Sequence, residues 1–108
     1  MRIWVDDVRP APEGYVWCKS VNEAKKVIID TDEMNEIPRR YDMNFSITLI
    51  DIDHDAGDYA YDGGDYIKLL DWLEETGRNF PIRIHSMNPV GITNMRRIVE
   101  RNGWKEIH

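Results

Sequence analysis

Short apolar runs alternate with stretches in which apolar residues return at the helical period, and the order of the two gives the outline of the fold. Arg2 to Val5 is an apolar run closed by Asp6 and Asp7, and Pro10, Pro12 and Gly14 behind it break regular structure. This predicts a strand and an irregular connection. Tyr15 to Cys18 combines aromatic and β-branched residues, as a second short, buried strand does. Ser20 and Glu23 have the spacing of a capping box, and Val21, Ala24, Val27 and Ile28 then line one face of a helix. From Thr31 to Met43 the pattern dissolves into charge and Pro38, which predicts a loop.

Phe45 to Ile52 is apolar and β-branched over a strand's length, as expected at the centre of a sheet buried on both faces. Gly57, Gly63 and Gly64 bracket an acidic loop. Tyr66, Leu69, Leu70 and Leu73 then mark a helix that ends near Gly77. Pro81 to His85 supplies the next strand. Asn88 and Pro89 break it, Ile92, Met95, Ile98 and Val99 define a third helix stopping at Gly103, and Trp104 to Ile107 reads as a last edge strand. Strands alternating with helices predict an α/β fold with a mainly parallel sheet, covered on both faces, because each parallel crossover brings the chain back through a helix.

Composition narrows this picture without changing it. The chain has 108 residues, expected to form one domain over 1–108, and 42% hydrophobic content is enough for a modest core. A net charge of −6 argues against duplex DNA as a partner and leaves a small ligand as the expected one. Cys18 has no second cysteine to pair with and reads as a packed thiol. Met1 runs straight into an apolar strand without a signal-type stretch, and no segment approaches membrane-spanning length, so a cytoplasmic location is expected.

Ligands of parallel sheets bind outside the carboxyl ends of the strands. Three polar groups fall there: Asp6 with Asp7, then Asp51, Asp53 and Asp55 around His54, and His85 with Ser86. Several carboxylates in one pocket repel one another, and a hard divalent cation offsets them. Asp6, Asp7 and Asp53 are the candidate ligands for Mg²⁺, or for Mn²⁺ if a histidine joins. Each of these aspartates taken alone also suits a turn. Asp53 and Asp55 share one direction if strand geometry persists, so either Asp53 or His54 faces the site. His54 is a candidate proton shuttle or ligand, or else a loop histidine bonded to backbone.

His85 is a candidate acid or base, and Ser86 beside it can bind a phosphoryl oxygen. Asn88 opens the third helix, whose free N–H groups suit an anion, although a plain turn before a helix looks the same. Arg9 can fork onto a phosphate or pair with the aspartates. Arg96, Arg97 and Arg101 read as a solvated helix face. Tyr59 and Tyr61 in the acidic loop either anchor the loop or stack on a base.

The order of acidic pair, strand-terminal Asp53 and strand-terminal Ser86 resembles the receiver domain of response regulators across nearly the whole chain. That resemblance implies a flavodoxin-like, three-layer fold in which Asp53 accepts a phosphoryl group beside Mg²⁺. A receiver carries a Lys at the end of its last strand before a Pro, whereas this chain closes on Gly103-Trp104-Lys105-Glu106-Ile107-His108. Asp6 to Gly14 (DDVRPAPEG), Asp53 to Gly57 (DHDAG) and His85 to Gly91 (HSMNPVG) together resemble more closely the cyclic-phosphate processing receiver-like family. The resemblance implies an enzyme acting on cyclic phosphates, with histidines in place of the missing Lys. His54 and Asp55 also spell the dipeptide of HD hydrolases, but those ligands are borne on helices and this pair follows a strand.

The expectation is therefore a metal-dependent phosphoesterase for cyclic phosphates on nucleotides or RNA ends, using Asp53, His85 and His54 in catalysis and Arg9, Ser86 and Asn88 to hold oxygens. A phosphoacceptor signalling module or a non-catalytic adaptor is the alternative.

Overall fold

A computed structural model describes residues 1–36 and 46–108. The elements run β1 (Arg2–Val5), β2 (Tyr15–Cys18), α1 (Val21–Glu36), β3 (Leu49–Ile52), a 3-10 turn (Gly57–Tyr59), α2 (Ile67–Glu75), β4 (Ile82–Ile84) and α3 (Pro89–Asn102). The strands form one sheet in the order β2-β1-β3-β4, and every pairing is parallel. The parallel sheet is that of the expected flavodoxin-like α/β class, but helices cover one face and not both, because no helix lies between β1 and β2.

Alternation along the strands divides the sheet into two different faces. Ile3, Val5, Cys18, Ile50, Ile52 and Ile82 point into a core that also takes Val21, Ala24 and Ile28 from α1, Leu69, Leu70 and Leu73 from α2, and Met95, Ile98 and Val99 from α3. All three helices follow connections that step along the sheet in the same direction, and the right-handed rule puts them on the same face. The step from β1 to β2 goes the other way, through residues 6–14 with no helix among them. That connection lies on the second face, where the Trp4 indole N–H donates to the Arg9 carbonyl at 2.9 Å. The second face is thus covered by a loop and by its own side chains. Trp4, Tyr15 and Arg2 pack there, with the Arg2 guanidinium 4.5 Å from the Tyr15 ring centre.

Several ends differ from the sequence expectation. α1 continues through Thr31 to Glu36, where a loop was expected, because buried Thr31 keeps the apolar face going and returns its hydroxyl to the Val27 carbonyl at 2.7 Å. Residues 37–43 of the expected loop, and Phe45 of the expected strand, lie outside the described residues. In β2 only Cys18 is buried, since the strand is an edge and leaves Val16 and Trp17 open to solvent. Trp104–Ile107 forms an isolated parallel bridge from Glu106 to Ile82 instead of a strand. The capping box closes as Ser20 Oγ accepts from the Glu23 N–H at 3.0 Å, while Glu23 accepts from the Lys19 N–H at 2.7 Å. Among the described residues no helix is long and apolar enough to cross a membrane.

Candidate metal and phosphate site

Because the sheet is parallel, the residues following β1, β3 and β4 emerge on one rim. Asp6, Asp53 and His85 come together there, each offering a ligand atom within 4.8 Å of the others. The two carboxylates suit Mg²⁺, and the set with the imidazole included suits Mn²⁺.

His85 is the most constrained group of the three. Its Nε2 lies 2.9 Å from Asp6 Oδ2 and its Nδ1 lies 2.6 Å from Asp51 Oδ1. The ring stacks on Trp4 with centroids 3.8 Å apart and planes 5° from parallel. Each ring nitrogen thus faces a carboxylate oxygen, and the two contacts with the stack on Trp4 fix the plane of the ring. Asp51, 1% exposed, also accepts from the partly exposed Arg83 guanidinium at 3.0 Å.

Asp6 is fully buried, and its Oδ1 accepts the N–H groups of Val8 and Arg9 at 2.9 and 2.8 Å. Burial alone would push its carboxyl up, but those two N–H groups and His85 outweigh burial and hold it below the usual carboxylate range. Asp7 behaves oppositely. Its burial, with the charges of Asp6 and Asp53 nearby, pushes its carboxyl above the usual range. The Asp7 carboxylate rests against Gly57, where a Cβ would overlap it, and it stands outside the close group of Asp6, Asp53 and His85. Behind the cluster, buried Tyr66 donates to the Lys19 carbonyl at 2.7 Å, and burial plus the three aspartates keep its phenol protonated.

Asp53 follows β3 directly, its N–H donating to the Val5 carbonyl at 2.9 Å and its Oδ1 accepting the His54 N–H at 2.7 Å. The alternation that brings Asp53 to the rim turns His54 the other way. The His54 ring lies against Gly91 at the start of α3, and its Nδ1 is 2.8 Å from Asp55 Oδ1. His54 is not among the groups that converge on the cluster. Gly91 is a glycine because a Cβ there would overlap that ring.

Arg9 reaches the same rim, with its guanidinium 3.4 Å from the His85 carbonyl. Asn88 is the N-cap of α3, its side-chain oxygen accepting the Gly91 N–H at 3.0 Å and its own N–H donating to Ser86 Oγ at 3.1 Å. The Ser86 hydroxyl proton and the Asn88 amide, 3.5 Å from both Asp55 oxygens, remain able to donate to an oxyanion. Lys105 is remote from this rim: its carbonyl accepts the Ile82 N–H at the opposite end of β4. Cys18 is buried beneath β2, with its thiol pushed up to about 12 chiefly by burial, which suits packing and not nucleophilic attack. Arg96 and Arg101 pair with Glu106 and Glu74, away from the rim.

Trp4 was not singled out from sequence as a site residue, and Asp51 was named only within the acidic group around His54, with no role of its own. Both lie inside strands, where an aromatic reads as core and an acid reads as an irregularity. Parity was the available signal, since Trp4 shares a face with Asp6, Asp51 with Asp53, and Arg83 with His85.

The cyclic-phosphate processing receiver domain is the family whose model matches, over residues 1–101. The chain belongs to that family. No curated protein and no solved structure matches it significantly. Within the family, the parallel sheet carries the acidic pair and Asp53 on the rim expected of a receiver, and His85 occupies a place with carboxylates on both sides.

Proposed function

We propose that this receiver-like domain hydrolyses a cyclic phosphodiester on a small phosphorylated ligand, a nucleotide or RNA end, with a divalent cation as cofactor. The observation that carries this reading is His85, held between Asp6 and Asp51 and stacked on Trp4, beside the Asp53 carboxylate. A site that only stored a phosphoryl group has no need of an imidazole fixed at both nitrogens.

Asp6 and Asp53 would hold Mg²⁺ or Mn²⁺, with Asp7 close enough to act through a bound water, as Mg²⁺ commonly retains several. When bound, the cation supplies charge neutralisation and polarises a phosphoryl oxygen. The chain's own groups do the rest. Arg9, Ser86 and Asn88 donate to the non-bridging oxygens as charge develops there. A water oxygen bonds to phosphorus as one ester P–O bond breaks. The water gives a proton to Asp53, and the departing alkoxide takes the Nε2 proton of His85. The product is a phosphomonoester with a free hydroxyl. His54, turned towards α3, would steady Asp55 and the N-terminus of that helix.

The test is turnover of 2′,3′-cyclic nucleotides and cyclic-phosphate RNA ends with Mg²⁺, comparing wild type with Asp53→Asn and His85→Ala. Loss of turnover in both variants supports the assignment, and undiminished turnover in both removes it. A phosphoacceptor role at Asp53 is the second reading, favoured by that residue's place after β3 next to Asp6 and Asp7. Stable gain of a phosphoryl mass on incubation with a small phosphodonor and Mg²⁺, without ring opening, would select it.

A further inference from the structure

On the β2 side of the rim stand three side chains that neither the core nor the acidic cluster uses. Trp17 is 36% exposed, although its ring is fixed: the indole N–H donates to the Asp6 carbonyl at 2.8 Å. Lys19 places its ammonium 4.7 Å from the Trp17 ring centre and 5.9 Å from that of Tyr59. Tyr59 belongs to the 3-10 turn that begins at Gly57, the glycine against which the Asp7 carboxylate rests. Tyr61 lies near it, ring centroids 6.5 Å apart and planes 27° from parallel, and is 84% exposed.

Two aromatic rings from separate elements therefore stand beside Asp6 and Asp7, with the Lys19 ammonium within reach of both. In a chain of net charge −6, a lysine placed next to an acidic site suits an incoming anion. Flat exposed rings suit a flat π-system, and every nucleobase offers one.

We infer that Trp17, Lys19 and Tyr59 form a nucleobase subsite, so that the ligand is a nucleoside cyclic phosphate and not a sugar cyclic phosphate alone. This rests on the cyclic-phosphate reading above. The base stacks on Trp17 and Tyr59, and the Lys19 ammonium, displaced from the rings, turns to the phosphate.

The experiment is calorimetric binding, with Mg²⁺ present, of adenosine 2′,3′-cyclic phosphate and of methyl ribofuranoside 2,3-cyclic phosphate, which has no base. Wild type should favour the nucleotide by about tenfold or more, the scale of one base-aromatic stack. Trp17→Ala and Tyr59→Ala should each bring that ratio close to one, and the second keeps the test open if the first fails to fold. Equal wild-type affinities, or a ratio that survives in both variants, overturn the subsite. Phosphorus NMR of the same samples separates the two ideas. Base preference without ring opening keeps the subsite and removes the hydrolase, whereas opening of both ligands with equal affinity does the reverse. Binding of neither overturns both.

Discussion

Replacing Asp51 by Asn tests the arrangement that fixes His85. Asp51 Oδ1 faces His85 Nδ1 at 2.6 Å, and the two side chains are 1% and 6% exposed, so water cannot replace the bond. Asn offers one acceptor where Asp offers two. It keeps that oxygen on His85 and turns its amide toward Arg83, whose side chain is 44% exposed and can take water instead. The Arg83 pair therefore contributes at most about 1 kcal/mol. The lost charge on the buried histidine bond is worth about 2 kcal/mol. For a domain of this size that lowers Tm by about 10 °C. Asp51→Ala, which leaves the ring nitrogen without any partner, costs about 3–5 kcal/mol. Thermal melting by circular dichroism at neutral pH in chelator-treated buffer measures both. An Asn variant melting within about 2 °C of wild type would refute the dyad, since a buried charge-assisted bond cannot be lost so cheaply.

Asp7→Asn should raise stability near neutral pH without added metal. Burial and the charges of Asp6 and Asp53 raise the Asp7 carboxyl above 3.8, so ionising it costs folded stability as pH rises through the raised value. The gain should fade below pH 3.8, where Asp7 is protonated folded or unfolded, and melting curves across acid and neutral buffers would show it. Asp6 has the opposite sign: its contribution is present above 3.8 and is lost as pH falls through the lowered folded value. Gly91→Ala should destabilise despite its helical position, by about 1–3 kcal/mol in denaturant titration, because the new methyl meets the His54 ring. Asn88→Ala should cost about 1 kcal/mol through loss of the α3 cap and weaken inorganic phosphate binding, measured by calorimetry.

Much of the fold was legible because periods and caps agreed. Ser20 with Glu23, Asn88 with Pro89, and Gly103 mark helix ends where the structure has them. The end of α1 was not, since Asp30, Asp32 and Glu33 obscure a face that Thr31 continues with a hydroxyl. The sheet's second face was unreadable for a topological reason. Pro10, Pro12 and Gly14 mark an irregular connection, but nothing local in residues 6–14 says that it joins two parallel strands and so leaves that face without a helix. At the site, the rule that ligands gather at strand carboxyl ends correctly grouped Asp6, Asp53 and His85. Asp51 was grouped with the acidic cluster, but its role as partner of His85 depends on strand register with Arg83 and on what His85 lacks, neither visible along one chain.

The central claim is that the rim of aspartates is a cation site serving phosphoryl chemistry, and calorimetric titration of Mg²⁺ and Mn²⁺ into the metal-free protein at neutral pH tests it most directly. The account predicts saturable binding of one cation per chain, abolished or greatly weakened in Asp53→Asn while that variant keeps the wild-type circular dichroism spectrum. No binding in the wild type, or equal affinity in the variant, would contradict it.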